Sequence, residues 1–150
     1  MKVDIVIYDR SGQIILIAEI KKKPGVSAEW AAKWRRNILS HKTLPDAKFF
    51  LIALPDHFYL WKDAGNTPEV VAPTFEIDAE PVLKPYLDKS GISSENISSQ
   101  SFELIIENWL NSILHIKNPL NQETGIPNWI PASGLSEAIK GGYLKHEVTL

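Results

Sequence analysis

A chain of 150 residues, 44% of them hydrophobic, has enough apolar surface for one domain core and is short for two. The formal charge of −2 argues against a protein that coats nucleic acid by bulk electrostatics, although it leaves room for a local basic patch. The absence of cysteine excludes disulfide frameworks, thiolate metal sites and thiol nucleophiles, and is compatible with a reducing compartment.

The opening MKVDIVIYDR carries Asp4 and Asp9 within its apolar run, unlike the core of a signal peptide. No apolar stretch reaches the roughly 18 residues that suggest a membrane span. The expectation is a soluble, cytoplasmic protein forming a single domain over residues 1–150.

Val3 to Asp9 and Ile14 to Lys21 read as strands, rich in Ile and Val and joined by the turn-forming Arg10-Ser11-Gly12-Gln13. Lys22-Lys23-Pro24-Gly25 ends the second strand. Ser27 is placed to cap a helix running to about His41, with Val26, Trp30, Trp34 and Ile38 as its apolar stripe. AKFFLIAL, Ala47 to Leu54, is nearly all apolar, as in a central strand covered on both faces. Phe58 to Lys62 reads as the next strand and Asp63 to Pro73 as loop, and Glu80 to Lys89 reads as a short helix. Gly91 to Ser98 is a polar connection. Phe102, Ile105, Ile106, Trp109, Ile113 and Ile116 mark an amphipathic helix, serving as core or as a dimer surface. In the tail, Leu135 to Lys140 adds a helical turn. The pattern predicts an α/β or α+β fold, a mixed sheet flanked by helices, with a core over residues 1–62 and a helical extension over 80–150.

The chemistry concentrates in the opening hairpin. With a two-residue Ser11-Gly12 loop of type I′ or II′, Asp4 stands opposite Glu19, at a Cβ separation of about 4.5–5.5 Å for such pairs. Strand alternation puts Lys21 on the same face as Glu19, while Ile5, Ile7, Ala18 and Ile20 face the other way. Two opposed carboxylates repel unless a positive charge sits between them. They suit a hard divalent cation, Mg²⁺ or Mn²⁺, with the backbone carbonyl of Ile20 as a further oxygen ligand. A lysine beside a metal-bound water helps hold or deprotonate it. The plainer account is a solvated hairpin face with a weak Glu–Lys pair.

Asp4, fourteen intervening residues, then Glu19-Ile20-Lys21 resembles the D…(D/E)xK signature of the PD-(D/E)XK nuclease superfamily, and VDIVIYDRSGQIILIAEIKKK resembles the hairpin of restriction-endonuclease-like domains. Val3 takes the place of the proline that often precedes the first acid. The resemblance covers about the first 62 residues. It implies a core of order αβββαβ and Mg²⁺-dependent hydrolysis of DNA phosphodiesters, with Asp4 and Glu19 as metal ligands and Lys21 orienting the water. The superfamily's preceding strand and N-terminal helix, the latter often carrying a further acid, have no counterpart ahead of Asp4. Either another segment replaces them, a partner chain supplies them, as a homodimer or a partner subunit would, or the site is incomplete. The helix with Glu103 and Glu107 is the internal candidate, by circular rearrangement.

Lys22 and Lys23 are candidate phosphate contacts, or simply a solvated strand end. Lys33, Arg35 and Arg36 either line a nucleic-acid groove or form an exposed basic helix face. Trp30, Trp34, Trp61 and Trp109 fall in apolar patterns and read first as core, with base stacking second; Trp129 reads as an anchor for the tail. The four histidines have no metal-ligand spacing, and no GxGxxG, Walker A or GxSxG motif occurs. The alternative to an enzyme is a non-catalytic accessory module of the same fold, binding nucleic acid or protein, or one subunit of a larger assembly.

Overall fold

The computed structural model describes residues 2–41, 43–115 and 128–150. Its elements are β1 (Lys2–Tyr8), β2 (Ile14–Ile20), α1 (Ala28–His41), β3 (Phe49–Ala53), β4 (His57–Lys62), β5 (Phe75–Asp78), α2 (Glu80–Ser90), α3 (Ser99–Leu114), α4 (Trp129–Ser133), α5 (Leu135–Ile139) and β6 (Tyr143–Thr149). The strands form one mixed sheet of order β5-β4-β3-β2-β1-β6, an α+β arrangement. Only β2 and β3 run parallel, joined by α1; the other neighbours are antiparallel. Among the described residues no helix is long and apolar enough to cross a membrane.

The hairpin departs from the two-residue turn in an instructive way. Gln13 accepts from the Asp9 amide at 2.8 Å, and Gly12 donates back to the Asp9 carbonyl at 2.9 Å. The connection is therefore the three residues Arg10-Ser11-Gly12, with Gly12 at φ +87° in the left-handed region that glycine enters freely. Asp9 braces the turn by accepting from the amides of Ser11 and Gln13 and from the Ser11 hydroxyl, contacts that hold its pKa below the usual carboxylate value. Tyr8 pairs with Ile14 but Ile7 pairs with Leu16, so Ile15 is an extra residue in β2. This bulge offsets the longer turn, and Ile5 still pairs with Ala18.

The sheet separates two cores. Ile5, Ile7, Leu16, Ala18 and Ile20 face the side covered by α2, α3, α4 and α5. Val3, Val6, Ile17, Phe50 and Ile52 face α1. All five residues of β3 are buried, as befits a strand covered on both faces; each large side chain there contributes roughly 1.5–3 kcal/mol. Helix α1 starts where Ser27 Oγ accepts from the Trp30 amide at 3.1 Å, the expected cap. Helix α3 is capped likewise by Ser98, accepting from Ser101 at 3.1 Å, and its Phe102, Ile106, Trp109, Leu110 and Ile113 are buried as core. Ile116, the end of the expected stripe, lies outside the described residues.

Two strands escape the sequence pattern. β5 has four residues on a sheet edge, and β6, YLKHEVT, is mostly exposed, with little apolar alternation to betray it. The junction leading into β6 tolerates nothing larger than glycine. A Cβ at Gly142 would stand 2.0 Å from the Tyr8 carbonyl oxygen and 3.0 Å from that of Ile139. Gly142→Ala is expected to cost roughly 2 kcal/mol and lower Tm by about 4–8 °C in a calorimetric scan.

Candidate functional site

The pleat of β1 breaks at the first acid. Val3 and Val6 both pack on the α1 side, although three positions apart, whereas Ile5 packs on the other. Across the ladder, between the pairs Val3–Val148 and Ile5–His146, Glu147 takes φ +50°, a conformation unusual for a residue with a side chain. Paired irregularities of this kind redirect side chains and are frequent beside functional sites.

The redirected Asp4 is half-buried, and its Oδ2 accepts from the Ile20 amide at 2.7 Å. That amide belongs to the peptide joining Glu19 to Ile20, so the first carboxylate is seated on the backbone of the second acid. Asp4 and Ile20 also line a cavity of about 50 Å³ with Ile5, Glu103, Glu107, His146 and Glu147. Four carboxylates thus face one small space, large enough for an ion and a little water. The crowding is felt chemically. The Glu103 carboxyl is held above its ordinary pKa by burial first, then by the negative charges of Asp4 and Glu147. His146 Nδ1 lies 3.3 Å from Glu107 Oε1, a pair whose attraction grows when the imidazole is protonated.

Glu19 is buried, at 6% exposure. Because Ala18 and Ile20 face the α3 side, alternation turns Glu19 and Lys21 toward α1. Lys21 is exposed, and its ammonium lies over the indoles of Trp34 and Trp30, at 5.2 and 5.8 Å from their centroids. The structure therefore brings Asp4 to the Glu19–Ile20 peptide, and Glu103 and Glu107 to Asp4, while the side chains of Glu19 and Lys21 lie on the α1 side of the ribbon. The three charges expected on one face do not converge there. Among the described residues no three His, Asp or Glu side chains converge as a metal-ligating group. The donor chemistry nonetheless fits a hard cation, since carboxylate and carbonyl oxygens dominate and carboxylate repulsion is what a divalent ion relieves.

Of the basic candidates, Lys22 and Lys23 are exposed, and the Lys23 ammonium lies 4.9 Å from the Trp30 centroid. Lys33 is exposed but paired with Glu29 at 3.2 Å, one helical turn away. Arg36 is half-buried, reaching the Asn37 side chain at 3.3 Å. Arg35 is a correction. At 1% exposure it cannot line a groove; its guanidinium sits between Phe50 and Trp61, 5.6 Å from each ring, and donates to the Gly65 carbonyl at 2.9 Å. Burial lowers its pKa. An arginine one residue off the apparent polar face reads as exposed in a helical wheel, and only the covering loop shows otherwise.

Comparison with protein-family models, curated proteins and solved structures yields no match to this chain. Glu103 and Glu107 are legible as acids on an amphipathic helix, whereas His146 and Glu147 carry no sequence signal because the strand that holds them carries none.

The raised pKa of Glu103 has a definite sign for stability. Its contribution is fully present below the unfolded carboxyl value and lost as pH rises through the folded one, so the ionised side chain burdens the fold at neutral pH. Glu103→Gln is expected to raise Tm at pH 7 in a chelator by about 1–3 °C, after allowance for solvent screening. The gain should vanish below about pH 4, where wild-type Glu103 is itself neutral.

Proposed function

We propose that this chain is a metal-dependent nuclease of the restriction-endonuclease-like kind, hydrolysing DNA phosphodiester bonds. The observation that carries the reading is the seating of Asp4 on the Glu19–Ile20 peptide, at the mouth of a cavity that also collects Glu103 and Glu107. The arrangement around it is consistent with the family resemblance. β2 leads through α1 to a parallel β3, and β1 is flanked on its other side by β6, with α3 and its acids nearby. In this reading β6 and α3 would take the part of the superfamily's leading strand and helix.

In this reading Asp4 and the Ile20 carbonyl would hold Mg²⁺ or Mn²⁺ with Glu103 as a further acid within reach, and Glu19 would join them only by turning its carboxylate from the α1 side. The ion, when bound, stabilises charge on phosphorus and lowers the pKa of its water. Lys21, on a flexible four-carbon stem, leaves the indoles to orient the attacking water. Lys22, Lys23, Lys33 and Arg36 supply positive charge for the phosphate backbone, sequence-independently.

A second reading is a non-catalytic module of the same architecture, binding nucleic acid or protein, or serving as one subunit of a larger nuclease. The position of Lys21 over Trp34 favours it, because that ammonium is already engaged away from Asp4.

Linear, nicked and single-stranded DNA incubated with and without Mg²⁺ or Mn²⁺ tests the proposal. Metal-dependent cleavage is expected, reduced at least about 100-fold in Asp4→Ala and in Lys21→Ala with the fold retained. Wild-type rates in both variants would overturn the mechanism. Calorimetric titration with Mn²⁺ separates the two readings. Binding heat lost in Asp4→Ala supports the enzyme, and absence of heat supports the module.

A further inference from the structure

Trp30 and Trp34 occupy successive turns of α1, their rings 5.5 Å apart and tilted by 39°. Neither is a simple core residue. Each is half-buried against the α1-side core, in contrast to Trp61 and Trp109, which are fully enclosed. The remaining ring surface is covered by ammonium groups, that of Lys21 over both indoles and that of Lys23 over Trp30.

Positive charge is concentrated here on a chain whose net charge is −2. Lys21, Lys22 and Lys23 are exposed in sequence, with Lys33 and Arg36 on the adjoining helix. Acids stand near this charge as well. Glu29 pairs with Lys33, and Asp56 accepts from the Gly25 amide at 2.9 Å. Beneath the same helix lies Arg35, a buried cation whose Nε and Nη1 have no hydrogen-bond partner.

We propose that this face binds single-stranded DNA, one unpaired base stacking on the Trp30–Trp34 pair while Lys21, Lys22 and Lys23 take the flanking phosphates. The inference rests on the reading of the chain as acting on DNA, though not on its cleaving it. The exchange is favourable on both sides. A base stacked on an indole gains more than an exposed ammonium gains over the same ring, and the displaced ammonium acquires a phosphate in place of a neutral π-face. A duplex cannot make this exchange, because its base faces are turned inward on one another. It has only its phosphates to offer, and these meet the lysines alone. Selectivity for unpaired strands therefore follows from the aromatic half of the surface, and salt dependence from the cationic half.

The test uses the full chain, in chelator, with an oligo(dT) of about 12 nucleotides and a mixed-sequence duplex of equal length. Tryptophan fluorescence should quench on adding the single strand, which should bind about tenfold more tightly than the duplex. Trp34→Ala should lose about tenfold in single-strand affinity and leave duplex affinity within about twofold, while Trp34→Phe keeps most of the single-strand binding. Should Trp34→Ala not fold, the wild-type protein decides the matter through its quenching and through a log–log salt slope near −2 for three neutralised phosphates. Equal affinity for the two DNAs, or saturation of the single strand without quenching, would overturn the inference. Cleavage by a protein that shows no single-strand preference sinks this inference and spares the nuclease. Trp34-dependent binding by a protein inert in Mg²⁺ and Mn²⁺ does the reverse.

Discussion

β1 is hydrogen-bonded along both edges, to β2 on one side and β6 on the other. A strand held that way has no freedom to slide, since a shift of one residue would exchange the side chains of its two faces. Ile5 and Ile7 are committed to one core and Val6 to the other, so the register is fixed by burial as well as by the ladder. Everything at the candidate site is referred to that fixed strand. The pleat is interrupted at Asp4, since Val3 and Ile5 on either side of it pack into different cores.

The consequence for electrostatics is a separation of charge across the ribbon. The carboxylates of Asp4, Glu103, Glu107 and Glu147 gather on the α3 side, where burial first, and then the charges of Asp4 and Glu147, raise the pKa of Glu103. Ammonium groups and indoles gather on the α1 side. Ile20 lies between, its amide bonded to Asp4 and its side chain closing one core. Such a polarised edge gives a polyanion a preferred orientation, its backbone drawn to the lysines and kept at a distance from the acids in the absence of a cation.

Much of this was legible from residue order, for reasons that differ element by element. The central strand FFLIA announces itself because burial on both faces leaves no polar interruption. Helices α1 and α3 declare their apolar stripes and α1, at Ser27, its cap, whereas the Ser98 cap of α3 sits at the end of a stretch that reads as a polar connection. The Ile5–Ala18 register is the one expected, although the turn is longer than two residues and a bulge at Ile15 makes up the difference. Edge strands were another matter. β6 has few buried positions, so its alternation is faint, and its pairing with β1 depends on residues more than a hundred positions away. His146 and Glu147 were hidden with it. Arg35 was misplaced because a helical wheel does not show a loop, and it is residues 63–74, Gly65 and Val71 among them, that roof over its guanidinium and Trp61.

The pairing of Lys2 with Thr149 has one more implication, for the order of events during synthesis. Asp4 is flanked, in the finished sheet, by a strand that is made more than a hundred residues later. Until Tyr143–Thr149 docks, β1 is a bare edge with an unsatisfied ladder, open to pairing with whatever strand is nearby. Closure of the acidic cavity is thus a late step, and a nascent chain passes through its most adhesive stage with that cavity still unformed.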